Sequence, residues 1–161
     1  MWIYEKKLQY PVKVSKCDPR MAKFLMEQYG GADGELSAAL RYLNQRYSIP
    51  SKAIGILTDI GTEEFAHLEM IATMIYKLTK DADVEQFIQC GLGSHYAAHD
   101  RALQYKDSNG VPWTAAYIQA KGDPLDLLKT TPRPHQSGLI SSTMPAPALV
   151  PAGMIHPPTP L

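Results

Sequence analysis

Apolar and polar positions alternate along the first two thirds of the chain with the three- and four-residue step of helices. Between Arg20 and Tyr47, Met21, Phe24, Leu25, Leu36, Ala39, Leu40 and Leu43 recur at that spacing. Asp18-Pro19 just before them is a helix start: Asp caps free amides, and Pro at the first position needs no donor. Gly30, Gly31 and Gly34 interrupt the run. Either Gly30-Gly31 ends one helix and Asp33 begins another, or a single long helix carries a patch of small residues. The periodicity resumes in phase, which favours the single helix. After the turn Tyr47-Ser48-Ile49-Pro50, a second long helix is predicted over Ser51 to Thr79, with Leu57, Ile60, Leu68, Ile71, Ile75 and Leu78 on its inner face. Two long helices joined by a short turn make an antiparallel hairpin, the unit from which bundles are built.

Weaker signals surround this hairpin. Met1 to Lys16 alternates loosely around Pro11 and reads as an extended arm. A short helix is predicted over Val84 to Cys90, and one more helical piece around His95 to Tyr105. Gly91, Gly93, Asn109-Gly110 and Pro112 mark irregular chain. The segment from Gly110 to Gln119, with Trp113 and Tyr117, reads as a packed loop covering one end of a bundle.

Composition divides the chain. All 16 acidic residues, and every Phe, Trp and Tyr, lie at or before Asp126. Residues 127–161 hold 8 of the 13 prolines. Such a stretch can neither continue a helix nor bury much apolar surface. The reading is a domain over residues 1–126 and a Pro-rich, unstructured tail over residues 127–161. Sixteen basic residues balance the sixteen acidic ones, so the broad basic footprint of a nucleic-acid partner is missing. Apolar runs fall short of the ~20 residues that span a bilayer, and the N-terminus lacks the apolar core of a secretory signal. Cys17 and Cys90 make neither a disulfide framework nor a zinc pattern. Synthesis inside the cell is the simplest expectation.

One constellation carries chemistry. Glu64 and His67 stand three residues apart, in phase with Ile60, Leu68 and Ile71. Glu35 lies in a small-residue stripe with Gln28, Ala32, Ala39 and Tyr42. If both stripes face one interior, two carboxylates and an imidazole meet there. Buried carboxylates need a counter-charge, which a divalent metal supplies. Oxygen plus imidazole donors suit manganese, iron or zinc. Glu-x-x-His with a Glu from a neighbouring helix is also the general ligand pattern of di-iron and di-manganese bundles. The bland alternative is an exposed Glu64–His67 pair, but it would turn Ile60, Leu68 and Ile71 to water. Glu63, four residues before His67, is a rival ligand. His95 and His99 read as surface or packing residues, and His135 and His156 in the tail have no assigned role. No phosphate-binding Gly loop occurs, and Ser37 and Ser94 lack the context of a nucleophile.

The runs GADGELSAALRYLNQRY, DIGTEEFAHLEMIATMI and GVPWTAAYIQAKGDPLDL resemble the manganese-catalase family, particularly its spore-coat branch, over roughly Met1 to Leu127. The resemblance implies an all-α, ferritin-like four-helix bundle, here incomplete, with the first helix pair and its loops. It implies Glu35 as a terminal metal ligand, Glu64 as a bridge between two manganese ions, and His67 as a terminal nitrogen ligand. It further implies disproportionation of hydrogen peroxide, a homo-oligomer, other coat proteins as partners, and a place in the coat of a bacterial endospore. In the family a second helix pair follows and adds a Glu and a His for the second metal. Here residues 127–161 contain no Glu, so one ion or none is expected per chain. A shifted reading frame or truncated gene product is the expected cause, which an alternate acidic, helical frame in the source DNA would test. Two copies about a twofold axis would restore the ligand count. Three functions follow: a manganese catalase, a structural coat component without activity, or another di-metal oxidoreductase such as an iron-oxidising one.

Overall fold

A computed structural model describes residues 3–96 and 102–118. Among these described residues four α-helices appear in order: α1 (Pro19–Gly30), α2 (Glu35–Gln45), α3 (Ser51–Thr79) and α4 (Val84–Gln89). Short 3-10 turns follow at Gly93–His95 and Ala115–Tyr117. The described residues form no strand, only the isolated bridges Tyr96–Leu103 and Lys106–Pro112.

α1 starts where the sequence predicts, with Asp18 accepting a hydrogen bond from the Met21 amide at 3.2 Å. α3 and α4 also occupy their predicted spans. Asp83 and Gln86 form a reciprocal capping box at the head of α4.

The single long helix expected over Arg20 to Tyr47 is not formed. Gly31 takes an extended backbone, φ −74° and ψ 168°, and ends α1. Gly34 then caps α2. The break is held from several sides. Buried Arg41 reaches back to the Ala32 carbonyl at 3.3 Å, and Ser37 Oγ donates to the Gly31 carbonyl at 3.2 Å. Gly30 lies against the chain at Lys106, where a Cβ would sit 2.4 Å from the Lys106 nitrogen. The stripe joining Gln28 and Ala32 to Glu35 is therefore split between a helix and a connection. Ala39 and Tyr42 alone continue it along α2.

α1 and α2 both lie antiparallel against α3. The Asp18 amide meets the Leu78 carbonyl near the end of α3, and Arg46 at the end of α2 reaches Thr58 near its start. Two apolar clusters result. Ala22, Met26 and Tyr29 of α1 pack with Leu68, Ile75 and Leu78 of α3 and with Leu92, while Ala38 and Tyr42 of α2 pack with Leu57. Ile60 and Ile71 are half-buried at the margins of these clusters.

The arm crosses α3. Tyr4 Oη donates to Glu69, Gln9 Nε2 donates to Glu63, and Lys77 Nζ donates to the Val12 carbonyl. No helical piece occupies residues 102–105, where Leu103 pairs with Tyr96 and the Gln104 amide donates to the His95 carbonyl. Extended pairing has taken those backbone groups away from any helix. The remaining part of that expectation, residues 97–101, falls outside the described residues, as does the tail. No helix among the described residues is long and apolar enough to cross a membrane.

Candidate metal centre

Glu35 is the first residue of α2 and its only acidic residue in the first turn. The free amides and partial positive charge of a helix start favour a carboxylate there. α2 comes close to α3 because position 61 has no side chain. A Cβ at Gly61 would lie 2.8 Å from Leu43 Cγ and 3.2 Å from Tyr42 Cβ. The near approach sets Glu35 opposite Glu64 and His67, which project side by side from α3 between its core residues Leu57 and Leu68.

The three side chains converge. His67 Nδ1 lies 2.7 Å from Glu64 Oε2 and 3.8 Å from Glu35 Oε2. One donor atom from each of Glu35, Glu64 and His67 falls within 4.8 Å of the others. Glu63 stands apart, its Oε1 4.0 Å from the opposite ring nitrogen, Nε2. Exposure separates the rivals: the Glu64 and Glu35 side chains are 16% and 23% exposed, that of Glu63 53%.

Electrostatics follow from this crowding. Hydrogen bonding to Glu35 and then Glu64 raises the His67 imidazole to about 10, so the ring is a cation at neutral pH and donates from Nδ1. Burial pushes the Glu35 carboxyl up, and the hydrogen bond from His67 only partly offsets it. Glu64 is also pushed up by burial, but hydrogen bonds from His67 and Glu35 outweigh this and hold it below the ordinary carboxylate value. Tyr42 is raised by burial and then by the Glu64 charge. At the centre of the acidic cluster the donor set offers a cation two carboxylates and one nitrogen. That donor set fits a manganese-, iron- or zinc-type ion.

Among the described residues, the other histidine is no part of this cluster. His95 is a buried packing residue whose Nε2 meets the Asp107 carbonyl at 2.9 Å. His99, His135 and His156 lie outside the described residues. Ser37, set aside as a nucleophile, proves to be a buried tie between chain segments, receiving a hydrogen bond from Trp113 Nε1 at 2.8 Å. The packed-loop reading of residues around Trp113 was the available signal, but nothing local names Ser37 as its partner.

A helical hairpin with two carboxylates and an imidazole on facing helices defines the class: a ferritin-like bundle, of which these helices are one part. The chain belongs to the manganese catalase family, since residues 1–132 match the family of manganese-containing catalases. It is 75% identical over 125 residues to Protein CotJC of Bacillus subtilis (strain 168), covering 78% of this chain and 66% of that one. To a manganese catalase of Bacillus subtilis it is 37% identical over 137 residues, covering 76% of this chain and 50% of the relative. The crystal structure of KatB, a manganese catalase from Anabaena, superposes with a TM-score of 0.67 at 37% identity, covering 76% of this chain and 55% of that one. The chain thus spans just under two thirds of the CotJC protein and about half of the manganese catalases it matches.

Proposed function

We propose that Glu35, Glu64 and His67 hold manganese, and that the chain is a manganese-catalase-type protein of the spore coat whose family reaction converts two hydrogen peroxide molecules to two water molecules and dioxygen. One observation carries this reading: two carboxylates and an imidazole, from two helices, present donor atoms within 4.8 Å of one another. A manganese pair, when bound, supplies the two-electron redox cycle of such a reaction. The protein's share is positional. Glu35 enters from α2 and Glu64 and His67 from α3, so the packing of these helices fixes the donors relative to one another. Half-buried surroundings limit water and strengthen each charge. His67 must release its proton before Nδ1 can act as a donor.

A structural role in the coat is the second reading, favoured by the donor count. A complete bundle site uses four carboxylates and two imidazoles, whereas the candidate ligands supply two and one. A pair of identical chains about a twofold axis brings two Glu35 and two Glu64–His67 sets together, which makes a homo-oligomer the form expected to hold two ions. Other coat proteins are the remaining expected partners.

Oxygen evolution from peroxide by the manganese-loaded chain tests the catalytic reading. Binding of about one manganese per chain in a dimer, without oxygen evolution, supports the structural one. No binding at all removes the metal reading, and iron-dependent oxygen consumption points to an iron oxidase instead.

A further inference from the structure

The two ring nitrogens of His67 face different carboxylates. Nδ1 points into the cluster of Glu35 and Glu64, and Nε2 lies 4.0 Å from Glu63 Oε1. A neutral imidazole that offers one nitrogen to a cation must keep its hydrogen on the other. In the orientation seen here that hydrogen sits on Nε2, on the Glu63 side. Glu63 is itself held, because its Oε1 accepts a hydrogen bond from Gln9 Nε2 at 2.9 Å. Gln9 belongs to the arm anchored to α3 through Tyr4–Glu69 and Lys77–Val12.

We infer that Glu63 is a positioning residue, an outer carboxylate that orients His67 with Nδ1 toward the metal, and that Gln9 of the N-terminal arm holds Glu63 in place. The inference rests on the manganese-site reading above. Sequence spacing favours Glu64 as the ligand beside His67 and keeps Glu63 as a rival, and the two differ in exposure and in the ring nitrogen they face. They flank the ring from opposite sides: the less exposed one shares the Glu35 side, and the more exposed one faces the nitrogen turned away. A closing movement of about 1 Å would bring Nε2–H, now 4.0 Å from Glu63 Oε1, within hydrogen-bond distance of it. A carboxylate there fixes the tautomer and makes the ligating nitrogen more basic. The arm thereby becomes part of the site, although it supplies no ligand.

The test uses the full chain and Mn(II) alone, followed by the electron paramagnetic resonance signal of free Mn(II). Glu63→Ala is expected to weaken binding by about 10–100-fold, Glu63→Gln to recover part of that loss, and Gln9→Ala to cost about fivefold. Unchanged thermal melts of the metal-free variants show that the fold is intact. With diamagnetic Zn(II) bound, the His67 Nε2–H resonance, visible in the wild-type chain by nitrogen-15 NMR, is expected to vanish into exchange with water in Glu63→Ala, a change that loss of fold stability alone does not produce. Wild-type affinity in Glu63→Ala, with His67→Ala binding nothing, overturns the inference and leaves the manganese site standing. Equal and complete loss in Glu63→Ala, Glu63→Gln and His67→Ala makes Glu63 a ligand and also overturns it. Absence of Mn(II) binding by the wild-type chain fells the metal reading, and this inference with it.

Discussion

Trp113 Nε1 donates a hydrogen bond to Ser37 Oγ at 2.8 Å, across 76 residues of sequence. Ser37 is fully buried and passes its own hydrogen to the Gly31 carbonyl. A hydroxyl two residues after Glu35 thus joins three segments: the break after α1, the start of α2 and the Trp113 loop. Ser37→Ala strands the indole N–H and leaves the Gly31 carbonyl with the Gly34 amide as its remaining partner. The expected cost is about 1–3 kcal/mol of stability, read from denaturant melts, with a red shift of Trp fluorescence as the loop loosens.

His67 makes the metal-free chain sensitive to alkali. Its imidazole stands at about 10 when folded against 6.5 when free, so its contribution to stability is complete below pH 6.5 and is lost as pH rises through 10. The raised Glu35 works in the same direction, since its ionisation at higher pH is disfavoured in the fold. Glu64, held low, adds stability above its ordinary value of 4.5 and loses it as pH falls further. Urea melts of the metal-free protein are expected to weaken from about pH 6.5 to pH 10, and His67→Ala to flatten that limb.

The same proton competes with metal. With one proton displaced from His67 per ion bound, apparent Mn(II) affinity is expected to rise about tenfold per pH unit on the acid side of 10. Calorimetry in buffers of different ionisation enthalpy measures the released proton directly. No proton release at neutral pH would show that His67 is not the displaced group.

Glu35→Gln tests the partner that His67 depends on most. Removing the carboxylate whose hydrogen bond does most to hold the protonated His67 is expected to lower the melting temperature of the metal-free chain by roughly 2–4 °C, the effect of about 1 kcal/mol, with relief of the carboxylate's own burial offsetting part of the loss. Mn(II) affinity is expected to fall at least about 100-fold, beyond the loss of an outer partner. Thermal melts and metal titration on the same sample check both signs.

Gly61→Ala tests the helix contact that sets the site. The added Cβ meets Leu43 Cγ at 2.8 Å and Tyr42 Cβ at 3.2 Å, at an expected cost of about 1–3 kcal/mol. The Leu43 side chain relieves part of the clash by turning aside, and the contact at Tyr42 Cβ, close to the α2 backbone, presses α2 away from α3, so a modest drop in Mn(II) affinity is expected as Glu35 shifts with its helix. Gly30→Ala meets the Lys106 backbone instead, with contacts of 2.4 to 2.9 Å. It is expected to destabilise further, since backbone cannot swing aside like a leucine side chain.

Much of this fold is legible in the order of residues. The spans of α3 and α4 and the Asp18-Pro19 start depend on local devices: apolar period, capping carboxylates and a proline where no donor is needed. Glu64 and His67 sharing a face is a matter of helix geometry alone. The break at Gly30-Gly31 was offered by the sequence as an alternative, but the periodicity pointed to the single helix instead. Both segments pack against the same side of α3, so the apolar phase runs on across a gap that the backbone does not bridge.

What the sequence determined by itself is the family, the all-α character, and three residues of the right chemistry at the right spacing, because neighbours along a helix are fixed within a turn or two. The tertiary structure decided what lies between helices. It set Glu35 against His67 at 3.8 Å, turned Nε2 to Glu63, brought Gln9 across α3, and buried Ser37 under Trp113. Apart from the Glu63–His67 pair, those contacts join residues far apart in the chain, and the approach of α2 to α3 rests on close packing at Gly61, where the absence of a side chain acquires meaning only once a neighbour is in place.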